Sequence, residues 1–275
     1  MKHYGNETAA PPAIELEEVT RWFATPRGRY VAVADITFTV PRGQFVALVG
    51  PSGCGKSTIL SMVAGLISPS RGVVRIDGQP LVGINHRAAF MFQQDALLPW
   101  KTVLDNVAFG PMLRGVPKRE ARDMARTWLA RVGLRGFEDR YPHQLSGGMR
   151  KRVSIAQDLV NDPQILLMDE PFNGLDAQTR TMIENEVLQL WSGSNKTVLF
   201  VTHDLEEAIA MSDRVILLTA GPARIKGDYP VMLERPRNVQ EVRFQPAFAA
   251  LYEKIWDDLK SEVLTSYLRQ QAVSG

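Results

Sequence analysis

The chain has 275 residues, 45% of them hydrophobic, with 32 Lys and Arg against 30 Asp and Glu. Such a composition buries one sizeable core, or one core with a smaller lobe, and excludes a disordered chain. A net charge of +2 is too weak a field to make nucleic acid the main partner, so phosphate binding must be local.

No apolar run approaches the roughly 20 residues needed to cross a bilayer. The longest candidates, Val198 to Val201 and Val215 to Thr219, are strand-sized. Met1 to Pro12 is polar and lacks a basic segment followed by an apolar one, so no secretory signal is expected and the chain should stay in the cytoplasm. The single Cys54 has no partner for an internal disulfide, in keeping with reducing surroundings.

In chain order, residues 1–12 are expected to be a frayed leader. Ile14, Leu16 and Val19 open an alternating stretch that predicts a first strand. Further strands are predicted around Val31 to Val40, Phe45 to Val49 and Val73 to Ile76, punctuated by Pro41, Gly43, Gly50, Gly72 and Gly78. From about residue 102 to 160 the spacing is helical. Met124, Trp128, Leu129 and Val132 form one apolar face opposite Arg122, Arg126 and Arg131, a pattern for packing and not for a ligand. Then come a helix-like Val153 to Val160, a buried-type strand Ile165 to Met168, a helix from about Thr179 to Trp191, a strand Thr197 to Thr202 and a helix Leu205 to Met211. After residue 230, Phe248, Leu251, Tyr252, Ile255, Trp256, Leu259 and Val263 predict one amphipathic helix, packed on the chain's own body or on a second copy. The strand–helix alternation predicts parallel strands with helices on both sides, interrupted by a helical insertion.

Two segments carry chemistry by themselves. Gly50, Pro51, Ser52, Gly53, Cys54, Gly55, Lys56, Ser57 and Thr58 fit G-x-x-x-x-G-K-[ST], between an apolar strand and the helix-like Ile59 to Ala64. Glycines let the backbone wrap a phosphate, and the following helix turns its positive end to the anion. Lys56 is then placed to reach the β- and γ-phosphates, and the Ser57 hydroxyl to sit on Mg²⁺. The second segment, Ile165 to Glu170, is a short apolar strand delivering two adjacent carboxylates where ligands collect on a parallel sheet. Asp169 is expected to hold the metal. Glu170, pointing to the other side, is expected to polarise the attacking water.

Leu145-Ser146-Gly147-Gly148-Met149, between those two motifs and ahead of a helix, resembles the signature of the ABC ATPase superfamily. Ser146 is suited to cap that helix, and the glycines allow its N–H groups close to a phosphate. The resemblance covers roughly residues 14 to 225. It implies that Ser146, Gly147 and Gly148 close over the γ-phosphate of an ATP held by a second copy of the chain. By the same resemblance, Gln93 contacts metal and water, Asp176 lies in a loop crossing the dimer interface, and His203 contacts the γ-phosphate. Phe23 resembles the aromatic that stacks on adenine, with the adjacent Trp22 a rival for that role.

Within the superfamily, Gln93 to Val107 and Tyr141-Pro142-His143-Gln144 look like importers of nitrate, sulfonates and taurine. Gln94-Asp95, Gln157-Asp158 and Asn173-Gly174 depart from that subfamily's usual text, leaving the solute open. The expected fold is an α/β P-loop core with a mostly parallel sheet, an N-terminal antiparallel β subdomain and an inserted helical subdomain. Residues 13–230 form the expected ATPase domain, with the helical part at about 95–160, and 231–275 a helical extension too short for the β-barrel regulatory domain of sugar-importing relatives.

By resemblance, ATP and Mg²⁺ are the cofactors. The partners are a second copy of the chain, integral-membrane permease subunits and, indirectly, a periplasmic or extracellular solute-binding protein, with no nucleic acid. The chain would sit peripherally on the cytoplasmic face of the inner membrane. Two other classes remain: a soluble ABC ATPase working on DNA or the ribosome, whose usual second nucleotide domain or long coiled coil is missing here, and an ordinary P-loop kinase or GTPase, which has no use for residues 145–149.

Overall fold

Residue alternation builds the first part of the molecule, for which the computed structural model describes residues 10–26 and 28–274. Most of the leader expected at residues 1–12 therefore lies outside the described residues. β1 (Ile14–Thr25) and β2 (Gly28–Val40) pair antiparallel, with Ile14 opposite Val40 and Phe23 opposite Tyr30. Their inward residues Leu16, Val19, Ile36 and Phe38 are buried. After β3 (Phe45–Val49) and α1 (Lys56–Val63), β4 (Arg71–Ile76) takes the free edge of β1, and β5 (Gln79–Pro80) completes a four-stranded antiparallel sheet ordered β2-β1-β4-β5.

The second sheet is built from apolar runs buried on both faces, as parallel strands between helical layers require. It joins β3 to β6 (Ala88–Met91), β7 (Ile165–Asp169), β8 (Thr197–Thr202), β9 (Arg214–Leu218) and β10 (Ile225–Pro230) in the order β10-β9-β3-β8-β7-β6. All neighbours are parallel except β10, which runs antiparallel along β9. Strand alternation sends successive residues to opposite faces. Phe45, Ala47, Val49, Leu166, Met168, Val198 and Phe200 join one core cluster, while Val46, Leu48, Ile165, Leu167, Leu199 and Val201 join the other, with α1 and the antiparallel sheet.

The helical insertion consists of α2 (Val103–Leu113), α3 (Lys118–Arg131) and α4 (Gly147–Leu159). α3 buries Ala121, Ala125 and Leu129, one turn apart, so its inward face is centred on alanines, with Met124 and Trp128 half-buried at the border. Arg122, expected on the outer face, instead grips Asp105 of α2 through Nε and Nη2 at 2.9 and 3.0 Å. Asn106 is fully buried; its amide donates to the carbonyls of Leu98, Lys101 and Thr102 while its Oδ1 accepts from the Leu98 N–H. One side chain thereby satisfies a loop that has no ladder of its own.

In the same core cluster as the insertion lie α5 (Ala177–Trp191) and α6 (Leu205–Met211), followed by α7 (Val239–Val242) and α8 (Pro246–Ser274). α8 packs on the chain's own body, burying Phe248, Ile255 and Leu259, whereas Trp256 and Val263 stay exposed. β10 and α7 were not expected from sequence. β10 has only Ile225 and Tyr229 to bury and is held by its pairing and by Asp228, which receives the Arg214 guanidinium.

Among the described residues no helix is long and apolar enough to cross a membrane. Phe200 lies edge-on to Phe45 at 5.9 Å and against Phe172 at 6.0 Å, with no exposed surface. Phe200→Ala is expected to cost about 3–5 kcal/mol of stability, read as a lowered urea midpoint.

Candidate functional site

The site forms at the carboxyl ends of β3, β7 and β8. After Val49 the chain turns through Gly50 to Gly55 and enters α1 at Lys56. The Lys56 ammonium is buried and donates to the carbonyls of Gly50 at 2.7 Å and Pro51 at 3.0 Å, which fixes it over the loop. Gly55 has φ +122°, and a Cβ there would stand 2.6 Å from the Ala32 carbonyl oxygen of β2, so only glycine fits. Cys54 is buried beneath the loop; burial pushes its thiol pKa up against the opposing pull of Lys56. Ser52 and Gly53 lie on the outer rim, and Thr58 follows within the first turn of α1.

Alternation along β7 decides where the two carboxylates go. Ile165 and Leu167 face the α1 side, so Asp169 does too, and it accepts the Ser57 hydroxyl at 3.0 Å. Burial raises the Asp169 carboxyl pKa, with the Ser57 hydrogen bond opposing, Glu170 adding to the rise and Lys56 lowering it. A hydroxyl and a carboxylate in contact are the hard oxygen donors that suit a small divalent cation sharing its shell with phosphate.

Glu170 takes φ +43°, leaving the strand while its N–H still donates to the Val201 carbonyl at 2.9 Å. Its Oε2 lies 3.1 Å from His203 Nδ1 and accepts from Asn173 Nδ2 at 3.3 Å. Sequence reasoning missed Asn173, which it noted only as a departure from the subfamily; a polar side chain three residues after the glutamate was the available signal.

Ser146 caps α4, accepting the Met149 N–H at 3.3 Å, and Asp176 caps α5, accepting the Thr179 N–H at 3.0 Å. Hydrogen bonds from Thr179 hold the exposed Asp176 carboxyl below its usual range. Those two helix starts touch: a Cβ on Gly148 would stand 2.6 Å from Thr179 Cγ2, while one on Gly147 would make only ordinary contact, with Arg150 Nη2 at 3.8 Å and Leu175 Cδ2 at 4.0 Å. Among the described residues Gln93 makes no hydrogen bond to Ser57 or Asp169. It lines a cleft of about 260 Å³ with Gly147, Arg150 and Asn173 to Leu175. Phe23 and Trp22 lie under the guanidinium groups of Arg21 (4.6 Å) and Arg29 (5.2 Å). The cavity of about 880 Å³ that opens at Ser52 to Cys54 is lined on its strand side by Arg29, Tyr30 and Val31, and by neither of those two rings.

Behind His203 lies a second polar layer that sequence did not reveal. Thr202 donates to Glu207 at 2.7 Å, and Arg180 reaches toward both Asp204 and Glu207 at 3.7 and 3.6 Å. Glu184 of α5 is fully buried, with Arg243 3.8 Å away, and neither of its oxygens accepts a hydrogen bond among the described residues. Burial first, and the neighbouring Glu207 second, push its pKa up to about 7.

A glycine-wrapped lysine, a serine–carboxylate pair and a second carboxylate held by histidine, all at one end of a parallel sheet, define a P-loop nucleoside triphosphatase. The family model described as ABC transporter matches residues 33–173, so the chain belongs to the ABC transporter ATP-binding family and is an ABC-type ATPase.

The relatives agree. An uncharacterized ABC transporter ATP-binding protein of Methanocaldococcus jannaschii is 47% identical over 253 residues, 92% of this chain and 93% of the relative. The taurine import ATP-binding protein TauB of Escherichia coli K12 is 40% identical over 228 residues, 82% of this chain and 89% of TauB. Among solved structures, a dimeric ATP-binding cassette in a post-hydrolysis state, bound to ADP and Pi, superposes with a TM-score of 0.72 at 31% identity, covering 80% of this chain and all of that one.

The buried Glu184 generates a pH dependence. Because its folded pKa lies above the unfolded value of 4.5, the folded state binds the extra proton between these values, and stability falls as pH rises through the interval. Glu184→Gln removes this loss. The variant should match the parent near pH 4 and exceed it at pH 8 by on the order of 2 kcal/mol, measured by urea unfolding at the two pH values.

Proposed function

We propose that this chain is the ATP-hydrolysing subunit of an importer for a small solute of the nitrate, sulfonate or taurine kind, working as a nucleotide-sandwich dimer. The observation that carries the dimer is the place of Ser146 to Gly148. They head α4 beside Asp176 and Thr179, and Gly147 lines a cleft with Gln93 and Asn173 to Leu175, whereas Ser52 to Cys54 of the same chain line a different cavity. A helix start whose N–H groups are open to phosphate, but which lies apart from its own P-loop, needs an ATP from another copy. The dimeric assembly of the similar cassette supports this, and likeness to TauB supports the importer and its solute class. Permease subunits then meet the helical lobe near Gln93, and a solute-binding protein delivers cargo from outside. The chain sits peripherally at the cytoplasmic membrane face.

In this reading the loop N–H groups and Lys56 bind the β- and γ-phosphates, while Ser57 and Asp169, with Gln93 brought in on closure, hold Mg²⁺. The ion, when bound, neutralises charge developing on the phosphate oxygens. Glu170 accepts a proton from the attacking water as the new bond to the γ-phosphorus forms and the bond to the ADP oxygen breaks. His203 and Asn173 fix the carboxylate for this task, and His203 is near enough to reach the γ-phosphate. Phe23, or its rival Trp22, stacks on adenine. Loss of the shared phosphate lets the two copies part, and the lobe motion is passed to the membrane.

Glu170→Gln should keep ATP affinity within about twofold, lower hydrolysis by about 10²–10⁴-fold and accumulate an ATP-dependent dimer on size-exclusion chromatography. Hydrolysis at the parent rate would remove Glu170 from this role.

A further inference from the structure

α8 extends beyond its buried face. Phe248, Ile255 and Leu259 seat its first half, whereas Val263, Leu264, Tyr267 and Leu268 are exposed. The second half is fastened instead by polar contacts to the turn between β9 and β10 and to the start of β10. Glu262 accepts the Ala220 N–H at 2.8 Å and the Lys226 ammonium at 2.7 Å; although burial opposes it, these donors hold its carboxyl below the usual range. Two helical turns on, Arg269 Nη1 donates to the carbonyls of Ala220 and Gly221.

That turn already belongs to the surroundings of the P-loop. The Ala223 N–H donates to Ala32 and its carbonyl accepts from Ala34, both at 2.9 Å, and its Cβ lies 3.2 Å from where a side chain on Gly55 would begin. The loop, β2, the 219–224 turn and the end of α8 are therefore one continuous wall. Ser266 and Arg269 complete the lining of the 880 Å³ cavity that begins at Ser52 and Tyr30.

The chemistry of this lining matches a nucleoside. Its volume falls within the range that encloses such ligands; Tyr30 adds an aromatic edge to this lining, and stacking on adenine stays with Phe23 or Trp22 outside it. A guanidinium carries five N–H donors, of which Nη1 accounts for at most two, so Arg269 is pinned in place and still has donors to give. Ser266 adds a hydroxyl one turn away.

We propose that the last turns of α8 are part of the nucleotide site, with Arg269 and Ser266 contacting the nucleoside end of bound ATP. This rests on the ATP-binding reading of Lys56 and its loop, and the two are separable by experiment. ATP affinity is measured by fluorescence titration for the parent, for Lys56→Ala and for the double variant Ser266→Ala/Arg269→Ala, whose positions lie outside the core. Competition by inorganic tripolyphosphate is measured alongside. The double variant should bind ATP about five- to tenfold more weakly, with tripolyphosphate competition unchanged, and Arg269→Lys should restore part of the loss. Parent-like ATP affinity in the double variant overturns the proposal, as does an equal loss for tripolyphosphate, which would move the contact to the phosphates. Parent-like affinity in Lys56→Ala would instead overturn the underlying reading of the loop.

Discussion

The hydrogen bond from the Ser57 hydroxyl to Asp169, 3.0 Å long, is the contact on which the site depends. It joins two segments 112 positions apart, and its existence requires β3 and β7 to lie in one sheet, separated only by β8, with their ends level. The strand residues behind it are buried on both faces, so the end points cannot shift without disturbing two cores at once. Placement of the metal-binding pair is therefore a property of the sheet.

The same alternation separates two jobs that would interfere if shared. Asp169 turns toward α1 and the phosphate loop; Glu170 leaves the strand with φ +43° and turns to His203 and Asn173. Adjacent carboxylates pointing together would raise one another's proton affinity. Divergence lets one remain a ligand and the other a base.

Much of this was legible in sequence because the relevant signals are local. Phe45 to Val49, Thr197 to Thr202 and Leu205 to Met211 are bounded by their own composition, and the two strands and one helix found there have those limits. The lysine loop and the carboxylate pair announce themselves by spacing. β10 was missed because a strand of Ile-Lys-Gly-Asp-Tyr-Pro is held by its neighbour, not by its own pattern. Arg122 reads only as opposite the apolar face, because periodicity records which residues are apolar and not that an acid on α2 waits opposite. Likewise Arg180 and Glu184 of α5, Glu207 of α6 and Arg243 at the end of α7 are far apart in sequence, and only folding brings the three elements together behind His203.

The contact between Gly148 and Thr179 carries a mechanical consequence. A methyl group added at Gly148 would stand 2.6 Å from the Thr179 side chain, so the first turns of α4 and α5, one in the helical lobe and the other in the sheet-bearing core, meet where only a glycine leaves room. Any swing of the lobe must pivot about this point or slide across it.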